Sequence, residues 1–127
     1  MADVKIQGDH LDVQLSLLDS ALAFHGSLHI PLAHVTNAFV SNFEDLELQY
    51  KVAGTGLDLL GFLKMAGVFA NPQGLIFCDV GGKGDILVLE TRGERFPQIA
   101  VELAPGANPN ALAHEIMQAL PDSGPVE

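Results

Sequence analysis

Residues 62–103 read FLKMAGVFANPQGLIFCDVGGKGDILVLETRGERFPQIAVEL, the most strongly patterned part of the chain. It holds four strand-like runs, about Phe62–Ala70, Leu75–Val80, Asp85–Thr91 and Gln98–Leu103, split by glycine-containing turns. The turns Asn71-Pro72-Gln73-Gly74, Gly81-Gly82-Lys83-Gly84 and Gly93-Glu94-Arg95 have hairpin chemistry. Connections this short predict antiparallel neighbours. One amphipathic helix follows, Pro109 to Leu120. Asn108 suits its N-cap and Pro109 its first position. Leu112, Ala113, Ile116, Met117 and Leu120 form one apolar stripe, His114, Glu115 and Gln118 face away, and Pro121 stops it.

Working outward toward the N-terminus, His10 to Ser16 alternates, with Leu11, Val13 and Leu15 on one face, as a half-buried strand does. Ser16, three residues before Asp19, predicts the cap of a helix of at most two turns, which Gly26 ends. Ser27–Leu32 alternates again. Pro31 cannot donate to a ladder, so this strand belongs at an edge or a bulge. Val35–Ser41 reads as a third, weaker strand. Asn42 caps a short helical turn from Phe43, with Phe43, Leu46 and Tyr50 inward. Ala53–Asp58, containing Gly54 and Gly56, reads as a loop. The expectation is a mainly β domain (α+β by content) over residues 1–121, with a frayed tail at 122–127. Its seven strands form a bent antiparallel sheet or partly open barrel capped by the C-terminal helix.

Composition narrows the function classes. The chain has 127 residues, enough for one domain with a sizeable core. Net charge is −10 with six Lys and Arg, a surface that repels nucleic acid and anionic membranes. The single Cys78 suits a reducing compartment, and Met1–Gln7 has no apolar core of a signal peptide. No run approaches the ~18 apolar residues of a membrane span. These readings predict a cytoplasmic protein.

The pattern of turns and core positions resembles small bacterial pleckstrin-homology-like (PH-like) proteins of unassigned function. The residues that carry the resemblance are Leu28-His29-Ile30-Pro31-Leu32 after a short helical turn and Gly54-Thr55-Gly56. The run from Gly67-Val68-Phe69 to Gly74-Leu75-Ile76-Phe77, Leu87-Val88-Leu89-Glu90 and the terminal helix complete it. The resemblance implies a sheet curled around the apolar stripe of the helix; it carries fold rather than function. The lipid site of eukaryotic PH domains clusters basic residues in the first strand connection. Here Leu17–Gly26 has no Lys or Arg, which argues against phosphoinositide binding.

No chemical motif stands out. Gly54-Thr55-Gly56 with Gly61 does not fit GxGxxG, and Gly81-Gly82-Lys83-Gly84 lacks the Ser or Thr of a phosphate loop. His10, His25, His29 and His34 fall close in sequence, but Gly26 keeps His25 and His29 off one helix face, so separate surface histidines are expected rather than a metal site. Cys78, in mid-strand, reads as a buried inert thiol. We expect no catalytic, metal or cofactor-binding residues and no cofactor, and hence no enzyme.

The leading functional expectation is a non-catalytic interaction or scaffolding module that binds a protein partner or itself. The alternative is a carrier of a small apolar ligand held between the sheet and the C-terminal helix. Phe62–Ala70 carries apolar residues on both faces and is guarded only by Lys64. The expected partner surface is therefore this strand and the Gly54–Gly61 loop, with Gly54, Thr55, Gly56, Phe62, Lys64 and Met65 as its residues.

Overall fold

Alternation and turn chemistry place nine strands and two helices in the computed structural model, which describes residues 1–59, 62–81 and 84–121. Three N-terminal strands, β1 (Ala2–Gln7), β2 (His10–Leu15) and β3 (Leu28–Pro31), form an antiparallel sheet in that order. Helix α1 (Leu17–Ala23) lies between β2 and β3 in the chain. Six strands form the larger sheet: β4 (Val35–Ser41), β5 (Tyr50–Leu59), β6 (Phe62–Asn71), β7 (Gly74–Val80), β8 (Ile86–Thr91) and β9 (Gln98–Val101). Their spatial order is β4-β8-β9-β7-β6-β5. Helix α2 (Pro109–Ala119) is the last element among the described residues.

The larger sheet buries both faces, which is why its strands read as nearly continuous apolar runs. One face packs Ala66, Val68, Phe77, Leu87, Leu89, Ile99 and Val101 against Val4, Leu11, Val13 and Ile30 of the small sheet, with Ala23, Ala113 and Ile116 from the helices. The other packs Phe69, Ile76, Cys78, Val80, Ile86, Val88 and Ala100 under Leu46, Phe43 and Leu48 of the β4–β5 connection. The two sheets join where the Ala2 amide donates to the Glu102 carbonyl (2.9 Å) and the Ala104 amide donates to that of Ala2 (3.0 Å).

Several expectations hold. Asn71 pairs with Gly74 across a two-residue turn, and β8 joins β9 as an antiparallel pair. Strand β3, which carries Pro31, is the outer strand of its sheet. The Asn108 side chain accepts from the Ala111 amide at 3.1 Å. Ile116 and Ala113 are buried, while His114, Glu115 and Gln118 are exposed. Met117, placed in the apolar stripe by sequence, is exposed.

Other expectations are corrected. Among the described residues there are nine strands, not seven. Strand β1 is not among the expected strands, although Ala2, Val4 and Ile6 alternate with polar residues; it pairs along its whole length with β2. Gly81–Gly84 is not a hairpin turn: β7 and β8 are not neighbours, because β9 lies between them and runs parallel to β7. The sheet is therefore mixed, and it does not close into a barrel. Helix α2 lies on β4 and β8 rather than corking an open end. Of the expected helical turn after Asn42 only a single 3₁₀ turn forms, Glu44–Leu46, with the Asn42 side chain accepting from the Asp45 amide at 3.0 Å. Tyr50 is exposed and opens β5. Helix α1 ends at Ala23, with Phe24 left-handed (φ 55°), short of Gly26. The tail at 122–127, and Gly82, Lys83 and Gly61 of the expected turns, lie outside the described residues.

The expected Ala53–Asp58 loop is strand. Its glycines mislead because they answer a constraint from across the sheet. Gly54 sits opposite Gly67 of β6, with φ of +106° and +140° respectively. A Cβ on Gly54 would lie 2.2 Å from the Ala66 carbonyl oxygen, and one on Gly67 the same distance from that of Ala53. The two backbones approach too closely for any side chain.

Ile116 fills the α2–sheet contact and is fully buried, so Ile116→Ala is expected to cost about 2–5 kcal/mol. Glu115→Ala, on the exposed face, is expected to change stability by less than about 0.5 kcal/mol. Chemical denaturation of the two variants measures the difference, and equal costs would deny the helix its packing role.

Candidate functional site

Helix α1 is turned inside out. The Ser16 side chain accepts from the Asp19 amide at 3.1 Å, so the helix starts where its cap residue dictates. That phase buries Asp19 and Ala23 and points Leu17 (92% exposed), Leu18 and Phe24 (77% exposed) outward. A carboxylate thus faces inward while three large apolar side chains meet solvent, the reverse of ordinary amphipathic packing.

The inward carboxylate is held by an ion cluster. Lys64 Nζ of β6 lies 3.0 Å from Asp19 Oδ1 and 3.0 Å from Asp79 Oδ1 of β7. The Met1 ammonium contacts Asp19 Oδ2 and lies 3.3 Å from Asp79 Oδ2. Asp79 is fully buried, and its Oδ2 makes no hydrogen bond, so at that oxygen the ammonium is a near charge and not a shaped donor. Burial raises the Asp19 carboxyl, but the Met1 ammonium and Lys64 outweigh it and hold the group below its ordinary value. At Asp79 burial dominates, and despite Lys64 and the ammonium the group sits above its ordinary value. Burial lowers Lys64, but the two carboxylates overcome it and raise the ammonium. The cluster clamps α1 to β6 and β7. Thr55 Oγ1 of β5 adds a hydrogen bond to the Leu22 carbonyl at 2.8 Å.

Beside α1 runs β5, an end strand of the larger sheet with one edge unpaired among the described residues. Tyr50 (64% exposed), Val52 and Leu57 project from it, and Phe62 is exposed at the start of β6. On the face away from α1, a groove of about 400 Å³ is lined by Phe43, Leu48, Tyr50, Met65 and Phe69, with Lys51 and Asp58 among its polar members.

The residues anticipated from sequence divide accordingly. Phe62 and Gly56 are exposed, and Met65 and Gly56 line the groove. Gly54 and Thr55 are half-buried against β6 and α1. Lys64 is only 16% exposed and is spent on the two aspartates, so it guards no edge. Strand β6 lies between β5 and β7, and the edge expected there belongs to β5. Sequence reasoning missed Leu17, Leu18, Phe24, Tyr50, Val52 and Leu57. The one signal available was Asp19, whose helical phase sets it opposite the leucines.

The remaining candidate chemistry is dispersed. Cys78 is fully buried, and burial pushes its thiol far above the ordinary range. His29 pairs with Asp12, His34 Nδ1 meets Glu94 Oε2 at 2.6 Å, and His25 stands 5.1 Å from the Phe77 ring. Among the described residues no three His, Cys, Asp or Glu converge to hold a metal. No helix among them is long and apolar enough to cross a membrane. Comparison with known families, curated proteins and solved structures finds no match.

Two outcomes follow from the cluster. Lys64→Ala removes one of the cluster's two cations, leaving Asp19 and Asp79 to share the Met1 ammonium, and is expected to cost about 3 kcal/mol. Asp79 has a raised folded-state value, so its protonation adds stability as pH falls through that value. Asp19 works oppositely, and its contribution is lost only at lower pH, below its ordinary range. Acidification from neutrality to about pH 4 is therefore expected to raise the melting temperature of the native chain relative to Asp79→Asn, in which that titration is gone. Melting curves across this range check the sign, and a difference that is flat or falls on acidification contradicts it.

Proposed function

We propose that the protein is a non-catalytic protein-interaction module that works through the α1–β5 surface. The observation that carries this reading is the inverted helix beside an unpaired strand edge. Leu17, Leu18, Phe24, Val52 and Leu57 are apolar, large and exposed on adjoining elements, and Tyr50 at the head of β5 continues the exposed apolar surface into the groove on the other face. Exposed apolar side chains gathered in one place mark interaction surfaces, whereas scattered ones need no explanation. A free strand edge offers a partner its main-chain donors and acceptors, with neighbouring apolar side chains for specificity. Full burial of Cys78 agrees with a non-catalytic role.

The resemblance to PH-like proteins enters the same proposal. Its support is the strand-rich chain ending in a helix packed on a sheet; the parallel β7–β9 pair departs from a succession of antiparallel neighbours. The carrier reading has less behind it. Ala113 and Ile116 fill the space between α2 and the sheet, and the hollows that reach the ends of that helix, near Leu120 and near Pro109, hold only about 200 and 210 Å³.

Photo-crosslinking in the native cell tests the module. A photoreactive side chain placed at Phe24 or Leu57 is expected to capture protein, and one at Glu115 on the exposed face of α2 is not. Capture at Phe24 and Leu57 no stronger than at Glu115 would defeat the reading.

A further inference from the structure

We infer that β5 is a self-pairing edge: two copies of the chain join β5 to β5 antiparallel about a two-fold axis at Thr55, making one continuous twelve-stranded sheet. The inference rests on the interaction-module reading and names its partner as a second copy.

A two-fold axis perpendicular to an antiparallel pair must pass between two directly opposed residues, so a symmetric pairing sets some residue against its own copy. The choice of that residue fixes the register. With Thr55 at the axis, Gly54 faces Gly56 of the other copy and Ala53 faces Leu57. The next step is set by an irregularity in β5. Lys51 pairs with Phe69 of β6 and Ala53 with Val68, so Val52 is an extra, bulged residue. A bulge sets two residues against one, and Lys51 with Val52 therefore stands opposite Asp58 of the other copy. By symmetry the contact occurs twice.

The bulge also makes the faces agree. Lys51 and Asp58 both line the groove on the face away from α1, and directly opposed residues of a sheet must share a face. Without the extra residue Lys51 would fall out of phase with Asp58. Moving the axis one residue to Gly54 sets Lys51 opposite Gly56 and loses both charge pairs. Leu57 lies on the α1 face, since it pairs with Lys64, whose ammonium reaches Asp19. In the dimer Leu57 meets Ala53 there, and the exposed Leu17 and Leu18 of the two copies lie on the same side of the joined sheet.

Long-range charge opposes the association, because each copy carries −10. At physiological salt that repulsion is screened beyond roughly 8 Å, while the two Lys51–Asp58 contacts act at close range. Among the described residues the edge carries no proline and no covering element; the two usual defences it does carry, an exposed lysine and a β-bulge, are Lys51 and the bulge at Val52, which this register turns into pairing contacts. Pro31, by contrast, does blunt β3.

Light scattering on the full chain, with two charge reversals, tests the register. The native chain is expected to be a dimer with a dissociation constant in the micromolar range. Lys51→Asp and Asp58→Lys should each weaken it about tenfold, since each puts like charges opposite one another twice. An equimolar mixture of the two variants should recover the dimer, because in the mixed pair both contacts are again opposite in sign. Both positions are solvent-exposed, and recovery in the mixture itself demonstrates that the variants fold. If either reversal fails to fold, Lys51→Gln and Asp58→Asn each remove the same contacts and must still weaken the dimer. A monomeric native chain, single variants that dimerise normally, or a mixture that fails to recover each overturns the self-pairing. Crosslinking from Leu57 to a different protein by a monomeric chain would overturn it while leaving the interaction module standing.

Discussion

The six-stranded sheet is apolar on both faces, and every other element is placed to cover one of them. Ile76, Phe77 and Cys78 are consecutive and fully buried, and Ile86, Leu87, Val88 and Leu89 are consecutive and at most 1% exposed. Alternate residues of a strand point to opposite faces, so such runs require a layer on each side. The small sheet and the two helices provide one, and the β4–β5 connection with Phe43, Leu46 and Leu48 provides the other. The same demand accounts for the position of β9. Placed between β7 and β8, its short apolar segment is paired along both edges, which gives its buried backbone groups their partners.

Where the apolar layer ends, a charge cluster takes over. Asp79 sits on the face that carries Phe77, yet it is surrounded by Lys64, Asp19 and the Met1 ammonium. Buried ion pairs contribute little net stability against a well-packed apolar substitute. Their effect here is on orientation. Asp19 can reach Lys64 only if α1 turns its acidic face inward, and that rotation drives Leu17, Leu18 and Phe24 into solvent. The buried charge and the exposed apolar surface are two sides of one helix.

The edge strand next to that helix shows a parallel economy. Gly54 and Gly67 let β5 and β6 come close enough for Thr55 to bond α1, which holds β5 flat against the domain by one side only. Among the described residues nothing pairs with its outer side, and a bulge at Val52 puts Lys51 and Asp58 on one face. A surface of this kind is apolar enough to be covered and polar enough to choose its register.

The sequence by itself determined what is local. Alternation placed β2, the turn Asn71–Gly74 and the strands around it; Asn108 and Pro109 started α2; Pro31 marked an outer strand. Each of these rests on residues within a few positions of one another, where steric and hydrogen-bonding preferences act directly. What it left undetermined depends on partners distant in the chain. Gly54 reads as a loop residue until Gly67 stands opposite it, and Lys64 reads as a surface guard until Asp19 and Asp79 arrive, 45 and 15 residues away. The insertion of β9 and the inversion of α1 were decided only by the tertiary structure, because burial and charge pairing are satisfied across space and leave no periodic signal in the chain.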